Sequence, residues 1–318
     1  MKNKLRRPLV IGNGQLGTAA FNAFKDADMF TFPKVDISNI DDLLAKIDFA
    51  KYSVIINAAA ATRVDDLENP AKFNMAKGVN ADGPKNLAKI AKDFGIPLVH
   101  VSSDYVFDGI RKNHDEDEQF SPLSVYGKTK AEGDENIIKS GADFYILRTS
   151  WVVGKTSIGE NGKNTNIVKT AYNCAVKGVK PTVVNDQIGR LTFTSELIRA
   201  IEFLFAKNAP YGVYNLTNGG EPKSLAEIWK YVYAKVGKNP DVVAETTTDD
   251  YYAGEGKKYV KDLEIGKYIN PENPEDLVAF RPENSDLNLD KIKELGFASK
   301  DQLEAIDEYI FELKGETK

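Results

Sequence analysis

A short apolar stretch that runs into three glycines is the feature that most restricts the fold of this chain. Residues 8–17 read PLVIGNGQLG, and residues 15–26 continue with helical spacing. In a dinucleotide site Gly12 would permit the tight turn, Gly14 would let the backbone approach a pyrophosphate, and Gly17 would let the helix lie close to the strand. The same glycines can also form a bend that binds nothing, so the motif needs support from its surroundings.

Strand-like and helix-like segments alternate through the first half of the chain. Further strands are predicted at 29–32, 54–61, 96–104 and 143–151. Helices are predicted at 39–48, capped by Asn39 or Ser38, at 79–94 and at 125–139. This alternation predicts an α/β fold with a doubly wound parallel sheet of the Rossmann type and right-handed crossovers.

After Trp151 the pattern changes, which predicts a smaller C-terminal α/β substrate domain. Residues 154–166 form a polar, glycine-rich loop in this prediction. Helices are expected near 167–177, at 194–206 and at 300–314, and strands at 181–184 and 211–216. The polar stretch 246–280 has little periodicity and predicts a surface excursion.

These elements predict two domains. The expected boundaries are a dinucleotide-binding domain at 1–150, rejoined by about 190–217, and a substrate domain made of 151–189 and 218–318. The strand at 211–216 is expected to rejoin the Rossmann sheet. The ligands should then lie at the carboxyl ends of the strands, between the domains.

The residues after the second predicted strand concern the choice of cofactor. An NAD-selective site usually places a carboxylate about 20 residues after the glycines. This chain has TFPK there, ending in Lys34, which can receive the 2′-phosphate of NADP(H). An exposed lysine in a turn is the alternative, and it leaves NAD(H) open. Asp36 and Ile37 are expected to border the adenine.

Two segments carry the predicted catalytic residues, VSSDYVFDG at 101–109 and YGKTK at 126–130. Tyr126 and Lys130 are one helical turn apart. An ammonium group beside the phenol is expected to lower its pKa from about 10. Ser103, at the end of a strand, can hydrogen-bond a substrate oxygen. Together they predict reduction of a carbonyl with Tyr126 as the acid, whereas an isolated pair would be a packed tyrosine beside a surface lysine.

With these motifs in view, the sequence resembles the dTDP-4-dehydrorhamnose reductase family of extended short-chain dehydrogenases/reductases. Besides the two catalytic segments, the resemblance is carried by INAAA at 56–60, VNA at 79–81, LRTSW at 147–151, NIVKT at 166–170, VNDQIG at 184–189 and RPENSDL at 281–287. It implies NADPH-dependent reduction of the 4-keto group of a nucleotide-linked deoxysugar, foremost dTDP-4-dehydro-L-rhamnose to dTDP-L-rhamnose.

The residues and the resemblance together assign the expected site. Catalysis would fall to Ser103, Tyr126 and Lys130. The cofactor would contact Gly12, Gly14, Gln15, Leu16, Gly17, Lys34, Asp36, Ile37, Ala58, Ala59 and Ala60, together with Tyr126 and Lys130. The sugar would contact Asp104, Tyr105, Trp151, Asn166 and Gln187. Trp151 would offer a flat apolar face to the hexose, or else be an aromatic packed at a strand end.

Several positions depart from the family pattern. Ser103 stands where threonine is usual, Ile167 where phenylalanine is usual, and Leu191 where proline is usual. The stretch 246–280 is longer than expected. Because these departures lie on the substrate side, they leave the identity of the nucleotide sugar open.

Rival functions share the same fold. An epimerase or another 4-ketoreductase remains open. A 4,6-dehydratase is disfavoured because Tyr105, and not a second acid, follows Asp104. A non-catalytic regulatory subunit, similar to that of methionine adenosyltransferase, also has this architecture.

Composition limits the partners. Lysine plus arginine number 42 against 47 aspartates plus glutamates, a net charge of −5, so no bulk attraction to nucleic acid is expected. No apolar run approaches the ~20 residues of a membrane helix, and we expect a cytoplasmic protein without membrane contact. With two histidines and one cysteine, no metal site is expected; His100 should lie in the core and His114 in a solvated loop. A homodimer stays open.

Overall fold

The computed structural model describes residues 5–155 and 165–316. Its strands are β1 (Leu9–Ile11), β2 (Asp28–Phe30), β3 (Ile55–Asn57), β4 (Leu98–Ser103), β5 (Phe144–Thr149), β6 (Val152–Val153), β7 (Thr182–Val184), β8 (Ile188–Gly189), β9 (Thr192–Phe193), β10 (Gly212–Asn215), β11 (Lys223–Ser224), β12 (Ala244–Thr246), β13 (Val260–Asp262), β14 (Lys267–Asn270), β15 (Asn273–Ala279) and β16 (Asn284–Ser285).

The α-helices of the described residues are α1 (Gln15–Ala23), α2 (Ile40–Lys46), α3 (Phe73–Lys77), α4 (Gly83–Phe94), α5 (Val125–Ile138), α6 (Ile167–Val176), α7 (Thr194–Lys207), α8 (Leu225–Lys235), α9 (Thr248–Ala253), α10 (Asp290–Glu294) and α11 (Gln302–Glu316). A π-helical turn, Gly78–Asp82, joins α3 to α4. The predicted cap of α2 is Asn39, whose side-chain oxygen accepts hydrogen bonds from the amides of Asp41 and Asp42.

Six parallel strands form the central sheet in the order β10-β5-β4-β3-β1-β2. The predicted doubly wound parallel sheet is therefore confirmed. The chain passes from β1 to β2 on one side and returns to β3 on the other side of β1. This reversal creates a crevice at the carboxyl ends of β1 and β3, the usual place for a ligand in such sheets.

The strands of the sheet carry apolar side chains on both faces, and helices cover both faces. In β1, Val10 packs with α1 and α7, while Leu9 and Ile11 pack on the other face with α2 and α4. All three side chains are buried. The alternation of a strand thus fills two cores at once.

The strand predicted at 211–216 lies in the central sheet as β10, parallel to β5. The helix predicted at 194–206 is α7, which packs against the same sheet. The polar loop predicted at 154–166 lies largely outside the described residues. The division of the chain into two domains stays a prediction.

The strand predicted at 54–61 ends at Asn57. The Ala58 N–H still donates to the Ile11 carbonyl oxygen of β1. Side-chain amides then replace the sheet hydrogen bonds: Ala59 N–H donates to the Asn57 Oδ1 and Ala61 N–H to the Asn80 Oδ1, at 3.1 and 2.9 Å. The chain therefore leaves the ladder and runs as a loop along the crevice.

The polar stretch 246–280 has more regular structure than its lack of periodicity predicted. It contains α9 and an antiparallel sheet of β13, β14 and β15, which we call the β meander (residues 260–279). Its strands are short, and the polar Asn270 is buried along with Tyr268, so no regular apolar pattern predicted them. Next to the meander, the Arg281 guanidinium binds both carboxylate oxygens of Asp65, at 2.6 and 2.7 Å.

No described helix is both long and apolar enough to cross a membrane.

Candidate active site

The glycine turn between β1 and α1 has the geometry that a dinucleotide requires. Gly12 has a φ of +101°, and a Cβ there would lie 2.8 Å from the Ala59 nitrogen. A Cβ on Gly17 would lie 2.0 Å from the Gly12 carbonyl oxygen, whereas a Cβ on Gly14 would meet nothing within 4 Å. Two glycines are thus enclosed by backbone and the middle one faces open space. The turn fits a diphosphate at the N-terminus of α1.

Gln15 and Leu16 open α1 but direct their side chains away from that open space. The Gln15 Oε1 accepts hydrogen bonds from the Gly154 amide at 2.7 Å and from the Asn166 Nδ2 at 3.3 Å. Leu16 lies in the core beneath the helix. Both residues can therefore contribute backbone N–H groups to a ligand, as the first turn of a helix does.

The three residues after β2 that were predicted to contact the cofactor differ in their exposure. Lys34 is exposed in a turn. The Asp36 carboxylate closes a local turn by accepting from the amide and hydroxyl of Ser38, at 2.9 and 2.7 Å. Ile37 is buried, and it packs where a Cβ on Gly83 would lie 2.5 Å from its Cδ1. Of these three side chains, Lys34 alone is exposed. It is therefore the one that is free to contact the 2′-phosphate of a cofactor.

Ala58, Ala59 and Ala60 form the opposite wall of the crevice, facing the glycine turn. The Ala58 amide donates to the Ile11 carbonyl oxygen at 2.9 Å. All three alanines are partly exposed. The space beside Gly14 stays open, whereas Gly12 packs directly against Ala58 and Ala59.

Ser103 and Tyr126 come together at the carboxyl end of β4. Ser103 is the last residue of β4, and its hydroxyl donates to the Asp104 Oδ1 at 2.9 Å. Ser124 caps α5 by accepting from the Gly127 amide at 3.1 Å, which sets Tyr126 in the first turn. The Tyr105 ring meets the Tyr126 ring edge-on, with centroids 5.4 Å apart.

The Lys130 side chain extends from α5 to β4. Its Nζ donates to the Val101 carbonyl oxygen at 2.8 Å and lies 3.2 Å from the His100 Nε2. Burial lowers the pKa of Lys130 to about 8, although the Asp134 carboxylate opposes this change. Lys130 is therefore buried and less basic than a free lysine.

The predicted lowering of the Tyr126 pKa by its lysine neighbour is wrong in direction. Burial raises the pKa of Tyr126 to about 12, and hydrogen bonding with Ser103 offsets only part of that rise. The negative charges of Asp104 and Asp134 raise it further. Tyr126 is consequently a phenol at neutral pH, the form that donates a proton.

Asp104 follows Ser103 directly and is 3% exposed. Burial raises its pKa to about 6, against the hydrogen bonds from Ser285 and Ser103. The acid predicted to meet the sugar therefore titrates near neutral pH. Sequence reasoning gave no sign of this, because the shift depends on burial.

Of the two histidines, only His114 differs from its predicted surroundings. His100 is buried as expected, but it contacts Lys130 and so belongs to the site. His114 is also fully buried, so the prediction of a solvated loop is wrong. Its ring stacks on Phe107 with centroids 4.6 Å apart, and its Nδ1 lies 2.9 Å from the Glu118 Oε1. A β-bridge between His114 and Leu287 pairs this acidic segment with a distant part of the chain.

The remaining predicted sugar contacts lie around the crevice. Trp151 is partly exposed, with its ring beside Gly189. The Gln187 Nε2 donates to the Thr248 Oγ1 at 3.0 Å. The Asn166 side chain caps α6, and its Nδ2 donates to the Gly154 carbonyl and to the Tyr309 hydroxyl, both at 3.0 Å. Asn166 thus joins the substrate side to Gln15, and its predicted sugar contact stays a prediction.

No group of three His, Cys, Asp or Glu side chains is placed to hold a metal ion within residues 5–155 and 165–316.

Comparisons with known proteins agree with this geometry. The model of the RmlD substrate binding domain family matches residues 7–314. A dTDP-4-dehydrorhamnose reductase from Aggregatibacter actinomycetemcomitans is 35% identical over 78% of this chain and 86% of its own length. A dTDP-4-keto-6-deoxy-D-glucose reductase from Streptomyces niveus is 30% identical, over 70% and 74%.

Among solved structures, one similar fold is the dTDP-4-dehydrorhamnose reductase of Bacillus anthracis in complex with NADP. It has a TM-score of 0.78 and 27% sequence identity, and the match covers 96% of this chain and 99% of that one. The match therefore spans nearly the whole of both chains.

Proposed function

Since the chain belongs to the RmlD substrate binding domain family, which includes the dTDP-4-dehydrorhamnose reductases, we propose that it reduces the 4-keto group of a dTDP-linked deoxysugar with NADPH. The foremost substrate is dTDP-4-dehydro-L-rhamnose, which would give dTDP-L-rhamnose. The observations that support the proposal are the hydrogen bond between Ser103 and Tyr126 at the carboxyl end of β4, the position of Lys130 one turn further along α5, and a glycine turn that is open at Gly14.

The cofactor is held, in this proposal, along the crevice. Its diphosphate rests on the N–H groups at the start of α1, beside Gly14, and the alanines from Ala58 to Ala60 line the other wall. Lys34 binds the 2′-phosphate, and a site that does not use Lys34 leaves NAD(H) as an alternative. When bound, NADPH supplies the hydride that reduces the carbonyl carbon.

Side chains of this protein supply the proton and stabilise the phenolate that is left. Tyr126 donates its phenolic proton to the C4 oxygen as the carbonyl is reduced, which suits a group that is protonated at neutral pH. Ser103 hydrogen-bonds the same oxygen. Lys130 supplies positive charge beside the phenolate that remains, and this stabilises it.

Substrate contacts are proposed on the same edge of the sheet. Asp104 accepts a hydrogen bond from the sugar, and Trp151 packs its ring on the hexose. Tyr105, Asn166 and Gln187 border the nucleotide sugar. The substrate would then lie between a dinucleotide-binding part (1–150, with about 190–217) and a substrate-binding part (151–189 and 218–318). A cytoplasmic location and a homodimer accompany this proposal as predictions.

A second candidate is reduction of another dTDP-linked 4-keto sugar. The similarity to the Streptomyces niveus dTDP-4-keto-6-deoxy-D-glucose reductase favours it. The two candidates share the catalytic residues and differ in the sugar that the pocket accepts.

One assay separates these functions. The purified chain is mixed with NADPH and with each dTDP-linked 4-keto sugar in turn, and the oxidation of NADPH is followed together with the sugar product. Turnover of dTDP-4-dehydro-L-rhamnose is expected. Turnover only of dTDP-4-keto-6-deoxy-D-glucose would favour the second candidate. No oxidation with either sugar would contradict a reductase and favour a regulatory subunit.

A further inference from the structure

A buried row of polar side chains lies behind Lys130 and has no part in the proposed proton transfer. The Asn57 Nδ2 lies 3.0 Å from the His100 Nδ1, and the His100 Nε2 lies 3.2 Å from the Lys130 Nζ. All three residues are at most 1% exposed. Asn57 and His100 face each other in register across β3 and β4, so the contact is fixed by the sheet.

The backbone determines which way the Asn57 amide points. The Ala59 N–H donates to the Asn57 Oδ1 at 3.1 Å, so the oxygen lies on that side and the NH₂ group faces His100. An amide NH₂ group only donates hydrogen bonds. The His100 Nδ1 must therefore accept, and it carries no proton.

The single proton of the neutral ring must then sit on Nε2. Burial, with a contribution from the charge of Lys130, holds the pKa of His100 well below its ordinary value, so the ring is neutral. The Nε2–H group is directed to the side of the ring where Lys130 lies.

The charged groups facing His100 come from two elements. On α5, Lys130 is joined by Asp134, whose Oδ1 lies 4.0 Å from the His100 Nε2. On β5, Arg148 donates to the other oxygen of Asp134, at 3.1 Å. The Asp134 Oδ1 has no hydrogen-bond partner among the described residues. A neutral amine at Lys130 can accept the Nε2–H, whereas an ammonium group has no lone pair to do so.

We propose that His100 is a positioning residue that makes Lys130 a readier proton donor: Asn57 holds it as the Nε2–H tautomer, and its N–H favours the neutral amine of the lysine over the ammonium. The role rests on the proposed reductase function. After each reduction the Tyr126 phenolate needs a proton. When Lys130 gives one towards it, an N–H bond breaks, an O–H bond forms, and the electron pair left on nitrogen accepts the His100 Nε2–H.

The tautomer can be measured directly, because the chain has only two histidines. NMR spectra of protein labelled with ¹⁵N-histidine distinguish a protonated ring nitrogen from a bare one, and the signals lost in His100→Gln identify that residue. Wild-type His100 is expected to carry its proton on Nε2 throughout the neutral range. A proton on Nδ1 would overturn the proposal. This reading needs no turnover, so it is independent of whether the chain is a reductase.

The Asn57→Asp variant is expected to reverse the tautomer of His100. A carboxylate oxygen in place of the NH₂ group accepts from the His100 Nδ1–H, and the Nε2 then becomes an acceptor for the lysine ammonium. The labelled spectrum is expected to show the opposite tautomer. An unchanged tautomer in this variant would contradict the argument from the Asn57 amide.

The consequence for Lys130 is visible in the pH dependence of kcat/KM. In both Asn57→Asp and His100→Gln the lysine gains an acceptor, so the basic limb should move to higher pH by about one unit. Tyr214→Phe in β10, which removes a hydrogen bond to the Pro210 carbonyl oxygen, is the control and should leave that limb in place. A lowered kcat with an unmoved limb in both variants would make His100 merely structural and overturn the proposal.

Discussion

The Lys267 ammonium of the β meander lies 2.8 Å from one oxygen of the Glu68 carboxylate, and the other oxygen accepts the Val125 N–H, also at 2.8 Å. Val125 is the first residue of α5 and precedes Tyr126. Glu68 is 2% exposed. One buried carboxylate thus connects the stretch 246–280, which is longer than the family resemblance implied, to the start of α5, the helix that carries Tyr126.

Glu68→Ala is expected to lower both stability and activity. The substitution leaves Lys267 without its partner and removes the acceptor of the Val125 amide, and breaking such a buried pair costs about 3 kcal/mol. Urea unfolding should show a lower midpoint, and kcat should fall because the first turn of α5 is less firmly held. The control is Glu264→Ala, an exposed carboxylate of the same meander. Equal stability of the two variants would remove Glu68 from this role.

Alanine substitutions at two glycines of the β1–α1 turn should affect different properties. One should lower stability, and the other should lower NADPH affinity. Gly17→Ala places a Cβ 2.0 Å from the Gly12 carbonyl oxygen, and overpacking of this kind costs about 1–3 kcal/mol or more. Gly14 has a φ of −64° and open space beside it, so Gly14→Ala should fold normally. The added methyl group occupies the place proposed for the diphosphate.

Thermal unfolding and NADPH titration read the two glycine effects separately. Gly17→Ala should unfold at a lower temperature. Gly14→Ala should keep its melting temperature and bind NADPH more weakly. Unaltered NADPH affinity in Gly14→Ala would count against the diphosphate position.

Tyr126→Phe should remove most of kcat while NADPH binding is kept. The variant lacks the phenolic proton, and general acid catalysis contributes roughly 10²–10⁴-fold. Steady-state kinetics and NADPH fluorescence titration measure the two properties. Tyr211→Phe, near the far edge of the sheet, is the matched control. Near-normal turnover by Tyr126→Phe would refute the assignment of the acid.

The parts of the fold that follow from local pattern were predictable from the sequence. The apolar run around Val10 predicts a strand buried on both faces, and the glycines after it predict the turn, because only glycine fits where the backbone of Gly12 meets its neighbours. Tyr126 and Lys130 were predictable as a pair since four residues span one helical turn.

The parts that depend on distant residues were not predictable. His114 lies in an acidic segment that looks solvated, but pairing with Leu287 far along the chain buries it. The raised pKa of Tyr126 comes from burial, which no local spacing encodes. The β meander has short strands with few buried apolar side chains, so its sequence carries no regular apolar alternation. Each of these misses reflects tertiary contact overriding local pattern.

Lys34→Ala should weaken the preference for NADPH over NADH. The exposed ammonium is the proposed partner of the 2′-phosphate, and an exposed ionic contact is worth up to about 1 kcal/mol, or roughly fivefold. The ratio of kcat/KM for the two cofactors measures the effect. Lys89→Ala, which removes a surface lysine paired with Asp93 on α4, should leave the ratio alone. An identical ratio in Lys34→Ala would exclude this contact.

The Asp104 carboxyl should give the reaction a pH dependence near pH 6. Burial raises its pKa from 3.8 to about 6. Above this value the carboxylate accepts the Ser103 hydroxyl hydrogen at 2.9 Å, and this competes with a hydrogen bond from Ser103 to a substrate carbonyl. Below it the protonated carboxyl can donate to Ser103, and the serine hydrogen is free to turn to the substrate. We therefore expect kcat/KM to rise as pH falls through about 6.

Asp104→Asn tests this directly, because an amide does not titrate and donates to the Ser103 oxygen at every pH. Its kcat/KM, measured from about pH 5 to about pH 8, should lack the step near pH 6. Folding gives a second check. Since the folded carboxyl binds its proton more tightly than the unfolded chain does, Asp104 should make stability fall as pH rises from about 4 through about 6, and the variant should lose that component. If the activity step persists in Asp104→Asn, another group causes it and Ser103 is not controlled by its neighbour.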